Sequence, residues 1–245
     1  MQGSSLFERT HHVRIASILD ALDAELLAAS SCYFGGGTAI ALRHREYRES
    51  VDIDFLVSDK SGYSDLREQV RRPEGFNALT CRPVTTLRPV VTDQYGIRTL
   101  LDADGETIKF EIVFEGRIGL ETPRAGDSIC GVTTLTDLDM AASKLLANSD
   151  RWSERAVFSR DVIDLAMMEP GPDLLNRAIA KAESAYRSAI VDDLSKAIDY
   201  LRDNPHRLDD CMRELQMYDT PKAVLWARIK RLNRSGSPAR GSKRL

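Results

Sequence analysis

Asp52 and Asp54 stand two residues apart in Val51-Asp52-Ile53-Asp54-Phe55. In an extended strand, alternation puts both carboxylates on one face, with Val51, Ile53 and Phe55 on the other. Two adjacent like charges are costly unless a cation shares them, and hard oxygen ligands suit Mg²⁺. Upstream, Tyr33-Phe34-Gly35-Gly36-Gly37-Thr38-Ala39-Ile40-Ala41-Leu42 reads as a short apolar strand, a glycine turn and a helix that Thr38 is placed to cap. Such a turn leaves backbone N–H groups bare at the positive end of a helix dipole, which suits the triphosphate of a nucleotide. Alone, a glycine run is commonly a plain turn and a D-x-D a solvated strand end. Their order in one strand, turn, helix, loop, strand unit points to a phosphate cradle beside a metal-binding carboxylate pair.

The surrounding pattern supplies elements to hold that unit. Apolar positions at Ile15, Ile18, Leu19, Leu22, Leu26 and Leu27 predict a helix over 15–29 leading into a strand over 32–34. Thr38 to Arg45 reads as the helix after the turn, and Glu46 to Ser50 as the loop returning to the carboxylates. Residues 59–65 read as a polar loop, with a short helix over 66–72 ended by Pro73. Strands are expected over 84–91, 96–102 and 107–114, the last two joined by an Asp104-Gly105 turn. Alternation in Ile108-Lys109-Phe110-Glu111-Ile112-Val113 puts Lys109, Glu111 and Val113 on one face.

From Leu135 onward the pattern is helical. Thr133 or Thr136 is placed to cap a helix over 138–149, and Ser153 to start another through Met168 before Pro170-Gly171-Pro172. Further helices are expected over 174–190, 192–202, 207–217 and 221–233. Lys144 lies on an apolar helix with Met140, Ala141, Leu145 and Leu146, and Asp161 and Asp164 are three apart on one helical face. Lys144 can reach a triphosphate as a compact cation or snorkel to solvent, and Arg160 with Asp164 can be an ordinary i,i+4 pair.

With 42% hydrophobic and 29% charged residues, the 245-residue chain has an ordinary globular composition. A net charge of −3 gives no overall attraction to nucleic acid, so such binding needs a local patch. The segment from Lys222 to the end holds eight Lys or Arg and no acid. It reads as a phosphate-contacting arm on a last helix that includes Arg228, Lys230, Arg231 and Arg234, or as a solvated helix end with a loose tail. Cys32, Cys81, Cys130 and Cys211 show no metal-site spacing and read as reduced thiols. There is no apolar run of about eighteen residues and no signal-peptide plan, so a cytoplasmic protein with no membrane partner is expected.

The longer pattern Gly36-Gly37-Thr38-Ala39-x-Ala41-Leu42, then Arg48-x-Ser50-x-Asp52-x-Asp54-Phe55, resembles the nucleotidyltransferases of the DNA polymerase beta superfamily, specifically the AbiEii/AbiGii type found as toxins of bacterial toxin-antitoxin systems. Lys144-Leu145-x-Ala147 with Arg160-Asp161-x-x-Asp164-Leu165 looks like the later motif of that family, which lines the nucleotide pocket. The resemblance implies an α+β fold with an N-terminal catalytic domain (1–125) built on a mixed sheet, an α-helical domain (126–233) completing the pocket, and a basic tail (234–245). It implies transfer of a nucleoside monophosphate from an NTP to an acceptor hydroxyl, tRNA first, as a toxin with an antitoxin encoded nearby. Asp52, Asp54 and Glu111 would hold Mg²⁺ or Mn²⁺. Glu111 stands where family members often have Asp. Gly35, Gly36, Gly37, Thr38, Arg48, Ser50, Lys144 and Asp161 would bind the nucleotide. Related folds modify small molecules or proteins, and a nucleotide-binding relative without catalysis is the reading from another class.

Overall fold

The structure, a computed structural model, describes residues 6–233. Helices α1 (Thr10–Leu19) and α2 (Ala24–Ala29) lead into β1 (Cys32–Gly35), α3 (Gly36–Arg43) and β2 (Ile53–Val57). After α4 (Lys60–Val70) and a 3-10 turn (Gly75–Leu79) come β3 (Val91–Thr92), β4 (Gly96–Ala103) and β5 (Glu106–Phe114). A hairpin of β6 (Ser128–Ile129) and β7 (Val132–Thr133) precedes α5 (Asp137–Arg151), α6 (Arg160–Met167), α7 (Pro172–Tyr186), α8 (Ala189–Asp203), α9 (Pro205–Glu214) and α10 (Lys222–Leu232). The fold class is α+β.

The main sheet has the order β1-β2-β5-β4-β3. Strands β2 and β5 run parallel, and the other neighbours are antiparallel. One face is apolar because Phe34, Phe55 and Ile112 fall in one register row and Ile53 pairs with Phe110. Phe34, Phe55 and Phe110 lie in sequence with ring centroids 5.4 and 5.7 Å apart, and Phe76 from the 3-10 turn meets Phe110 edge-on at 4.8 Å. On the opposite face the row Gly35, Asp54, Glu111, Arg98 crosses four strands.

The two-residue turn at Asp104 and Gly105, with φ of +54° and +81°, fixes Ala103 opposite Glu106, and from there Arg98 opposite Glu111. A slip of one residue would turn Glu111 into the core.

The helical half joins the sheet through Leu135, whose N–H donates to the Phe34 carbonyl at 2.9 Å. Thr136 caps α5 by accepting from the Asp139 N–H, and Ala141, Ala142, Leu145 and Leu146 are fully buried. Buried side chains from both halves form one contiguous cluster.

Several elements differ from the sequence expectations. The helix over 15–29 is two helices, because Asp23 caps α2 while its own N–H bonds back to Leu79. Residues 60–65 are helical: Asp59 accepts from the Gly62 N–H and starts α4 early. Of the strand over 84–91 only Val91 lies in a strand; Pro83 and Pro89 lack the N–H a ladder needs, and single bonds such as Leu87 N–H to Leu100 O tether the segment. Phe158 and Ser159 are left-handed, so the helix from Ser153 becomes a 3-10 turn followed by α6. Arg187 at φ +55° separates α7 from α8.

The basic end is partly structural. Leu225, Ile229 and Leu232 bury one face of α10, and Arg228 pairs with Glu169 at 2.5 Å. Arg234 and the tail lie outside the described residues. No described helix is long and apolar enough to cross a membrane.

Phe110 is fully buried between Phe55 and Phe76, so Phe110→Ala should remove roughly 3–5 kcal/mol of stability, read from the midpoint of denaturant unfolding.

Candidate active site

A cleft of about 460 Å³ opens on the carboxylate face of the sheet, opposite Met140, Ser143, Lys144 and Ala147 of α5. Gly36, Gly37, Arg48, Ser50, Asp52, Asp54, Glu111 and Lys144 all line it. Gly35, Thr38 and Asp161 do not; they act from beneath.

The glycines have separate reasons to be glycine. Gly36 has φ +68°, and a Cβ there would lie 2.6 Å from Asp54 Oδ2. A Cβ on Gly37 would lie 2.1 Å from the Arg48 guanidinium. The turn therefore lets α3 start against the carboxylate, and Gly36 and Gly37 bring the positive end of its dipole to the cleft. Thr38 does not cap α3; Gly35 is the N-cap, without a side-chain bond.

Thr38 instead bonds the Asp52 carbonyl at 2.5 Å and the Ser50 hydroxyl at 2.8 Å. The Ser50 N–H donates to Nε2 of the fully buried His12, 3.1 Å away, so Nδ1 carries the proton and donates to Glu46 at 2.8 Å. Burial lowers the His12 pKa despite the Glu46 carboxylate, which keeps the ring neutral and Nε2 free to accept. Glu46, His12, Ser50 and Thr38 thus fix the backbone that carries Asp52, which itself sits one residue before β2.

A buried ion network forms the floor. Arg48 grips Asp164 with two hydrogen bonds of 2.7 and 2.9 Å, Tyr47 donates to the same carboxylate at 2.6 Å, and Lys144 reaches it at 2.7 Å. Lys144 also donates to Asp161 at 3.1 Å, and Arg151 holds Asp161 through two bonds of 2.7 and 2.9 Å. Burial works to raise both aspartate pKa values, but the attached cations outweigh it and hold Asp161 low and Asp164 well below the usual carboxylate range. Three cations against two carboxylates leave the floor with a net positive charge. The partner of Asp164 is Arg48 across the fold, not Arg160 one turn away, and Lys144 is buried rather than snorkelling. Asp161 has no place in the cleft lining because Lys144 and Arg151 take up its oxygens.

The carboxylates face the opposite balance. Burial and the charge of Asp52 raise the Asp54 pKa, while Lys109 and Lys144 oppose the shift. Glu111 accepts from Arg98 at 2.8 Å and from Lys109 at 2.6 Å. Burial disfavours the Lys109 ammonium, but the bond to Glu111 and the Asp54 and Asp52 charges raise its pKa.

A sequence model of the nucleotidyl transferase AbiEii toxin, of a type IV toxin-antitoxin system, matches residues 17–239. The chain belongs to the AbiEii family. No curated protein matches the sequence. Among solved structures, a presumed nucleotidyltransferase from H. pylori aligns at 18% identity and a TM-score of 0.48, covering 91% of this chain and 93% of the other. JHP933 from Helicobacter pylori aligns at 16% identity and a TM-score of 0.47, covering 93% of each chain.

An AbiEii nucleotidyltransferase implies a divalent cation. Among the described residues no group of three or more His, Cys, Asp or Glu is arranged to hold one. The Glu111 carboxylate accepts from Arg98 and Lys109. Asp52 and Asp54 fit the group by themselves, since Mg²⁺ is commonly bound by one or two carboxylates and completed by substrate phosphates and water. Burial first and the Asp52 charge second disfavour the ionised Asp54, and a bound cation would offset both.

Sequence reasoning passed over His12, Tyr47, Arg98 and Arg151. His12, 38 residues from Ser50, and Tyr47, 117 from Asp164, sit in no spacing pattern with their partners. For Arg98 there was a signal, because the Asp104-Gly105 turn sets it opposite Glu111. Asp164→Asn should cost about 3–5 kcal/mol at pH 7, since Arg48 and Lys144 lose their buried counter-charge. The low Asp164 pKa contributes stability above an unfolded value of about 3.9 and loses it as pH falls through the folded one. The gap between variant and wild type in denaturant titrations should therefore narrow below about pH 4.

Proposed function

We propose that this AbiEii-family chain transfers a nucleoside monophosphate from an NTP to a hydroxyl of RNA, with tRNA the first candidate, and that a cognate antitoxin restrains it. The observation that carries the reading is the convergence of Gly36, Gly37, Asp52, Asp54, Glu111 and Lys144 on one cleft. Mg²⁺ or Mn²⁺ held by Asp52 and Asp54 would neutralise charge on the phosphates and the leaving pyrophosphate.

The chain supplies the rest by position and charge. The start of α3 and the net-positive floor around Lys144 draw the triphosphate to one flank of Asp54. Lys144, fixed by Asp161 and Asp164, keeps its ammonium in place without side-chain reorganisation. The acceptor oxygen forms a bond to the α-phosphorus as the bond to the bridging oxygen of pyrophosphate breaks. Glu111 takes the acceptor proton after exchanging its bond from Lys109, and Lys109 then faces the phosphates as a free cation. His12, Ser50 and Thr38 hold Asp52 in register throughout.

The second reading, a protein that binds nucleotide without transfer, draws support from the two cations already seated on Glu111. Incubating protein, Mg²⁺, each α-labelled NTP and total tRNA separates the two. Label should enter RNA with wild type and fall by at least about 10²–10³-fold with Asp52→Ala. Bound nucleotide with no label on any acceptor would favour the second reading.

Because burial and Asp52 both disfavour the ionised Asp54, its charge costs the ligand-free fold stability once pH exceeds the raised pKa. Asp54→Asn should therefore abolish transfer yet raise the thermal midpoint without ligand by about 2–4 °C.

A further inference from the structure

Beside the cleft lies a second cavity of about 780 Å³, at the end of β5 where the chain leaves the sheet. Val113, Glu115 and Arg117 line both cavities, so the two adjoin at the end of β5. The remaining wall combines aromatic rings and unpaired cations. Tyr63 of α4 stacks on Phe114 with centroids 5.0 Å apart, and Arg67 lies 5.7 Å above the Tyr63 ring. Lys60 and Arg67 pair with no acid among the described residues, and the buried Arg67 Nε has no hydrogen-bond partner. The acid in this wall is already spent: Glu115 is held by Arg117 through bonds of 2.9 and 2.7 Å.

Tyr95 stands at the rim, 66% exposed. Its backbone is fixed on both sides, its N–H to Asp93 at 2.7 Å and its carbonyl from the Phe114 N–H at 2.8 Å. A tyrosine on a fixed main chain, with a solvent-facing ring beside unpaired cations, has the character of a stacking platform for a base with its phosphate nearby.

We propose that this groove binds the unpaired end of the acceptor strand, with one base on Tyr95 and its phosphates on Lys60 and Arg67. The inference rests on the transfer reading for its acceptor. Its location follows from in-line geometry, in which attacking and leaving oxygens lie on opposite sides of the α-phosphorus. Strand order puts the glycine turn of β1 on one flank of Asp54 and β5 on the other. An acceptor then approaches over the C-terminal end of β5, where Val113 faces the cleft with Glu111 while Phe114, about 10 Å along the strand from Glu111, faces the aromatic side, so the groove lies around that end. An unpaired end fits where a duplex does not, because only splayed bases can stack on a side chain.

The test is anisotropy of a fluorescent single-stranded RNA of about a dozen nucleotides on the full chain, with a blunt RNA duplex as control and NTP binding measured in parallel. Tyr95→Ala should weaken single-strand binding about tenfold. The Lys60→Ala, Arg67→Ala double variant should reduce the salt slope by about 1.4. Both should leave NTP binding unchanged, and Tyr95→Trp should retain binding and show indole quenching. Wild-type affinity in the first two variants, or equal competition by the duplex, would overturn the groove. Transfer to RNA that persists unaltered in those variants would remove the groove and leave the transfer reading standing. Oligonucleotide bound through Tyr95 without any transfer would do the reverse.

Discussion

The pairing of three strands governs everything at this site. Gly35, Asp54 and Glu111 are register partners across β1, β2 and β5, so backbone hydrogen bonds, rather than side-chain contacts, set the spacing of the turn and the carboxylates. The Phe34, Phe55 and Phe110 rings beneath make that register expensive to change, since a slip would exchange aromatic and charged faces.

Charge is handled by division of labour. The floor holds its aspartates ionised and matched by Arg48, Lys144 and Arg151, whereas Asp52 and Asp54 keep an unmet negative charge at the surface of the cleft. The matched network gives rigidity and a positive background. Burial and the Asp52 charge disfavour the ionised Asp54, so the ligand-free cleft carries a local cost in stability.

The strongest sequence signals were those in which one segment contains both partners. Gly36-Gly37 and Asp52-x-Asp54 sit in one strand, turn, helix, loop, strand unit, and the Asp104-Gly105 turn announces its own hairpin. Local pattern is ambiguous where a short polar side chain can choose among backbone partners. Thr38 reads as an N-cap and instead ties Asp52 and Ser50 together, while Asp59 caps a helix within a segment that reads as loop. Helix breaks at Phe158, Ser159 and Arg187 depend on left-handed backbone at residues with no glycine to mark it.

The sequence by itself determined the class of fold and the family, because alternation, glycine turns and the spacing of Asp52 and Asp54 are local properties of the chain. Which cation meets which acid follows from packing alone. Arg48 found Asp164, Lys144 found Asp161 as well as Asp164, and Arg98 and Lys109 occupied Glu111. Such pairings arise from packing between elements far apart in the chain, where charge type narrows the choice of partner and only burial and distance select it.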